Sequence, residues 1–131
     1  MYVEWKEEYN VGVARFDESH KELYSLINEL HAGVVEGRYR DTQKNVLKNL
    51  VHYSISHFAD EERLMKEYNY PELASHKREH DQFRKKLEEF VDAYMEGFAL
   101  LTTDLLDYMV RWLEKHVTVT DKKYEPYFRD L

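Results

Sequence analysis

The chain has 131 residues, 43% hydrophobic and 34% charged, with a formal charge of −7. That is enough for one folded domain with a true core, and it excludes a disordered chain. The acidic balance, without any Lys/Arg run, argues against nucleic acid or an anionic membrane surface as partner. The absence of cysteine removes disulfides, zinc–thiolate sites and iron–sulfur clusters.

The arm "MYVEWKEEYNVGVARF" opens the chain. It has neither the basic nor the apolar region of a signal peptide, and its aromatics are expected to pack along the outside of the folded body. Beyond it, three breaks stand out: "EGRYRD" at 36–41, "YNYPE" at 68–72 and "EGFALLTTD" at 96–104. They leave segments near 17–37, 41–67, 72–96 and 102–120, and a short C-terminal tail. None approaches the apolar run of about 18–20 residues that a membrane span needs. A cytoplasmic protein is the expectation.

Every segment carries an apolar stripe of helical period. The first runs Phe16, His20, Leu23, Ile27, Leu30, Val34. Its start is marked by Asp17 and Ser19, both good capping residues. The second runs Leu47, Leu50, Ser54, His57, Glu61, Leu64, Tyr68; the third Leu73, His76, His80, Phe83, Leu87, Phe90, Tyr94; the fourth Leu105, Met109, Trp112 or Leu113, His116. Four such helices with short connections predict an all-α fold, an antiparallel up-down-up-down four-helix bundle with an arm and a tail, as one domain over 1–131. The tail "KKYEPYFRDL" is expected to pack along the outside after Pro126.

Five histidines and Glu61 lie on core-facing positions. Left unpaired, six buried polar groups would cost on the order of 1–3 kcal/mol each, comparable in sum to the stability of a whole domain. His20 lies at the start of its helix, His57 and Glu61 late in theirs, His76 and His80 at a start and His116 at an end. In an antiparallel bundle those are one pole. His31 and His52 match no such position and read as surface or core-edge residues.

Residues four apart share a helix face, so His76 and His80 can reach one metal ion, as can His57 and Glu61. Asp121 follows His116 by five residues, about 140° off its face on a regular α-helix. It faces inward only if the helix ends or bulges within the poorly helical run Val117–Thr120. Five imidazoles and two carboxylates exceed one ion and suit two; with no thiolate they fit iron, and less selectively manganese or zinc. An odd number of histidines must split three and two, which leaves a coordination place for a small ligand.

"SHKEL" at 19–23, "HFADEE" at 57–62, "HKREH" at 76–80 and "WLEKHVTVTD" at 112–121 resemble the hemerythrin family in order and spacing, specifically its single-domain bacterial members. The resemblance implies two iron ions. His76, His80 and His116 would bind the saturated one, His20 and His57 the open one, with Glu61, Asp121 and an oxygen atom between them. It also implies reversible O2 binding for carriage or storage, not catalysis, in a dry pocket that Leu23, Trp112, Leu113 and Val117 could roof. An oxygen-consuming enzyme is a conceivable recipient, and the expected state is a monomer. The nearer alternatives keep the fold: O2 or iron sensing, iron storage, or a di-iron enzyme handling peroxide or NO. A different class is a zinc protease, since "HKREH" also reads H-x-x-E-H with Glu79 as base; that leaves His20, His57, Glu61 and His116 unexplained.

Overall fold

The computed structural model describes residues 2–97 and 101–128. Residues 98–100 of the third predicted break and the last three of the predicted tail lie outside the described residues. After a short 3-10 turn at Glu7–Tyr9, the helices are α1 (Ala14–Val35), α2 (Tyr39–Glu67), α3 (Leu73–Met95) and α4 (Leu101–Trp112). The fourth continues without a break as a π-helical segment, Leu113–Thr120, then a 3-10 turn, Asp121–Tyr124, and a last short helix, α5 (Glu125–Phe128). The described residues contain no strand.

The order of contacts along each helix pair is antiparallel. On α1 and α2, Glu29 accepts from Asn45 while His20 reaches Glu61. On α2 and α3, Phe58 meets Phe83 while Glu62 meets His80. On α3 and α4, Phe90 meets Tyr108 while Phe83 meets Trp112. The architecture is the four-helix bundle expected.

The first two helices end where the backbone turns left-handed. Gly37 has φ 74° and Asn69 has φ 55°. The amide of Tyr70 then bonds back to the Met65 carbonyl at 2.8 Å and that of Arg38 to Gly33 at 2.7 Å. Each residue thus closes its helix, Asn and Gly being the residues that enter this region at least cost. These two breaks were visible as glycine and asparagine among polar neighbours.

Most stripe positions are buried as expected, but Val34 and Tyr68 are 39% and 42% exposed. Both sit in the last turn of a predicted stripe, and Tyr68 still packs edge-on against Phe128. The start of α1 also differs. Asp17 does not cap it; the helix begins three residues earlier, and Asp17 accepts the Val11 amide at 2.7 Å, tying down the arm. Ser19 bonds back to the Arg15 carbonyl.

The tail differs most. Instead of lying outside, Tyr124 and Phe128 are completely buried. With Val11, Val13, Phe16, Leu64, Met65 and Tyr70 they form a second apolar cluster at the end of the bundle. Pro126 sits within the first turn of α5, where a helix tolerates it. The arm's aromatics Trp5 and Tyr9 pack half-buried against the main core, and Tyr2 stacks on the half-buried His31 at 4.1 Å. His52 is exposed.

At Gly33, α1 packs close against α2: a Cβ there would lie 2.5–2.8 Å from the Thr42 side chain. Thr42 is held in turn, its hydroxyl bonded to the Arg38 carbonyl at 2.8 Å. Alanine gains about 1 kcal/mol of helix propensity but overpacking costs about 1–3 kcal/mol. Gly33→Ala should therefore lower unfolding free energy by about 1 kcal/mol in a urea titration; a gain in stability would show that the helices are free to separate.

Candidate metal centre

All seven predicted residues come together. His20, His57, Glu61, His76, His80, His116 and Asp121 are buried at one pole. They form two overlapping groups of potential ligand atoms, each within 4.8 Å of one another: Glu61, His76, His80, His116, Asp121, and His20, His57, Glu61, Asp121. Glu61 and Asp121 belong to both. His76, His80 and His116 fall in the first group and His20 and His57 in the second.

The winding of the last helix is what brings Asp121 in. Its amide donates to the carbonyl of His116, five residues back. In this i→i+5 winding residue 121 comes to lie over residue 116, whereas an α-helix would leave the two about 140° apart. His116 Nε2 and Asp121 Oδ1 are 3.0 Å apart, and His76 Nε2 lies 2.9 Å from the same oxygen. His20 Nε2 is 3.1 Å from the other oxygen, Oδ2. Glu61 is approached in the same way by His57 and His80, each at 3.2 Å from Oε1.

These contacts are short, yet the Nε2 atoms of all five histidines, Glu61 Oε1 and both Asp121 oxygens have no hydrogen-bond partner. The atoms converge on shared points instead of aiming at one another. That many unpaired buried polar atoms are rare in a folded protein and call for an explanation. Nitrogen and oxygen donors around two centres are a donor set that fits a pair of divalent cations.

Charge points the same way. Burial opposes ionisation of Glu61 and Asp121, but the neighbouring imidazoles hold both carboxyls well below the usual range. Burial likewise opposes charging of the histidines. Asp121 and Glu61 outweigh it, pushing His20 up to about 10 and His116, which also meets Glu79, up to about 9. Two carboxylates without exposure require positive charge beside them.

Around the converging atoms stands a layer that sequence reasoning missed. His80 Nδ1 contacts Glu62 Oε2 at 2.8 Å, and Glu62 also pairs with Arg84 at 3.1 Å. His116 Nδ1 contacts Glu79 Oε1 at 2.9 Å, and Thr120 donates to the same oxygen at 3.0 Å. Carboxylates on Nδ1 set the tautomer that leaves Nε2 free to ligate. Glu79 therefore faces His116 across α3 and α4, as an acceptor, rather than serving "HKREH" alone. Tyr124 donates to Glu61 Oε2 from within the tail. Flat rings lie on four of the imidazoles: Phe58 on His80 at 4.0 Å, Trp112 on His116 at 4.0 Å, Tyr53 on His57 at 4.7 Å and Tyr124 on His76 at 5.7 Å. The signal for Glu62 and Glu79 was adjacency to a stripe ligand in sequence. That signal did not say which neighbours reach across to another helix.

Leu23, Leu113 and Val117 lie buried in the main core cluster with Trp112. Trp112 stands against His116, on the three-histidine side.

The fold and the cluster together define a helical-bundle protein with a buried histidine–carboxylate metal centre. Comparison narrows the class. Residues 11–128 match the family model of the hemerythrin HHE cation binding domain. A bacteriohemerythrin of Stenotrophomonas maltophilia is 32% identical over 120 residues, covering 92% of this chain and 77% of that one. A bacteriohemerythrin of Clostridium acetobutylicum is 29% identical, covering 95% and 98%. The crystal structure of a wild-type hemerythrin superposes with a TM-score of 0.88 at 28% identity, covering 98% and 99% of the two chains. The chain belongs to the hemerythrin family.

Tyr124 ties the tail to the centre, so its hydroxyl has a measurable role. Tyr124→Phe leaves Glu61 Oε2, fully buried, without this donor, a loss of about 1–3 kcal/mol. Urea unfolding of the metal-free protein should show it; an unchanged midpoint would mean that the phenol packs only as a ring.

Proposed function

We propose that the chain binds O2 reversibly at a pair of non-heme iron ions, as a carrier or store and not as a catalyst. His76, His80 and His116 would hold one ion, His20 and His57 the other, and Glu61 and Asp121 both. The observation that carries the reading is the division of five unpaired Nε2 atoms, three and two, about two shared carboxylates. The two-histidine half has one protein donor fewer, so a small ligand has room there. Ferrous ions, if held by these residues, would supply the electrons that O2 binding requires.

The protein's part is to position, to neutralise and to exclude water. Glu62 and Glu79 hold His80 and His116 in the ligating tautomer. The stacked rings on four imidazoles stop them from turning. Leu23, Leu113 and Val117, without polar atoms, keep the inward side dry, and dryness disfavours the proton delivery that would turn reversible binding into oxidation. A ligand set dominated by neutral imidazole favours release of O2 over cleavage of its bond, which separates this reading from an enzyme on the same fold.

Metal-free protein loaded anaerobically with ferrous iron should take up two irons per chain. A visible charge-transfer band should then appear with O2 and vanish on purging. Consumption of O2 with irreversible bleaching would replace the carrier reading with an oxidase, and one zinc in place of two irons would support the protease.

Glu61→Ala, which removes a ligand common to both groups, should reduce bound iron to less than one per chain by elemental analysis. Retention of two irons would remove Glu61 from the centre.

A further inference from the structure

Tyr53 holds His57 in place with its ring, but its hydroxyl has no part in that contact and is a buried polar group that the centre leaves unexplained. It lies one turn before His57 on α2, 4% exposed, with a hydroxyl that has no hydrogen-bond partner. Its ring lies over His57 at 4.7 Å and 22°. A buried hydroxyl without a partner loses its hydration without replacement, and phenylalanine would fill the same space without that cost. Retaining the oxygen needs a reason.

The geometry of the bundle supplies one. The ligands sit at one pole, so the layer next toward the middle lies after the ligand on α1 and α3 and before it on α2 and the π-helical segment. His20 plus three is Leu23, His57 minus four is Tyr53, His80 plus three is Phe83 and His116 minus three is Leu113. All four belong to the main core cluster. Tyr53 is the member of that layer with a hydroxyl, and it stands beside a histidine of the two-histidine half. Its hydroxyl is buried and feels the charges of Glu61 and Asp121, and also that of Glu22 on α1. Tyr24, the other buried tyrosine whose hydroxyl has no partner, differs: the neighbouring ionisable group that it feels is Tyr9, in the arm.

We propose that Tyr53 is a ligand-recognising residue, its hydroxyl donating a hydrogen bond to a small lone-pair-bearing ligand, O2 or an anion such as azide, at the two-histidine half of the centre. The inference rests on the proposed di-iron function. An otherwise apolar pocket would thus hold one donor, which favours anionic over neutral ligands of the same size.

The test uses azide on the oxidised, iron-loaded protein, with Tyr53→Phe and Tyr24→Phe as the two variants. Removing a hydroxyl that has no partner leaves the ring contacts intact, so both variants should fold and load iron like the parent. Tyr53→Phe should weaken azide binding about tenfold, in keeping with loss of a hydrogen bond to a charged acceptor. The infrared stretch of bound azide should shift on transfer to D2O in the parent and lose that shift in Tyr53→Phe; a purely structural role would move neither. Tyr24→Phe should match the parent in both. Azide affinity within twofold of the parent in Tyr53→Phe, with the D2O shift retained, overturns the assignment while leaving the di-iron function standing. A parent protein that loads fewer than two irons, or binds no azide, overturns both.

Discussion

Two carboxylates buried side by side are the constraint on which the rest of this molecule depends. Glu61 and Asp121 lie far from water and in each other's field. Such a pair survives in a core only if positive charge is gathered against it from several directions at once. No single helix can do that. The centre therefore draws on α1, α2, α3, the π-helical segment and the 3-10 turn that follows it, and the bundle is the scaffold that brings these segments to one point.

The position of the pair explains the distribution of apolar groups. On the inward side lies the main core, with Leu23, Phe58, Phe83, Leu113 and Val117. On the outward side a bundle would open to solvent, and here the arm and tail close it. Val11 and Val13 come from one terminus, Tyr124 and Phe128 from the other, and Lys122 reaches the Asn10 carbonyl at 2.7 Å to join them. The centre is thus a polar layer between two apolar ones. Tyr124 belongs to both the cap and the polar layer, packing with Phe16 and Phe128 while its hydroxyl serves Glu61.

The helices and most of the clustered histidines and carboxylates were legible in the sequence because both obey a period. His76, His80, Phe83, Leu87 and Phe90 alternate three and four, and α3 buries all of them. The supporting groups were not legible because they obey no period of their own helix. Glu62 is one residue past Glu61 and points toward α3; Glu79 is one residue before His80 and points toward His116. Their roles depend on what the neighbouring helix presents, which a single-helix pattern does not contain. The tail fails for a similar reason: "KKYEPYFRDL" has no stripe of its own and was expected along the outside, and only the apolar end of the bundle makes core positions of Tyr124 and Phe128. Asp121 was the intermediate case, since the need for an irregular turn was readable from the spacing while its form was not.

The π-helical segment turns that last point into a property of the chain's length. Asp121 reaches the centre by backbone count: eight residues from Leu113 to Thr120 wound more widely than their neighbours. Side chains facing outward there, such as Glu114 and Val119, are free to vary, whereas adding or removing a single residue between His116 and Asp121 would swing the carboxylate off the pole. This stretch therefore tolerates spelling changes and forbids changes in the number of letters.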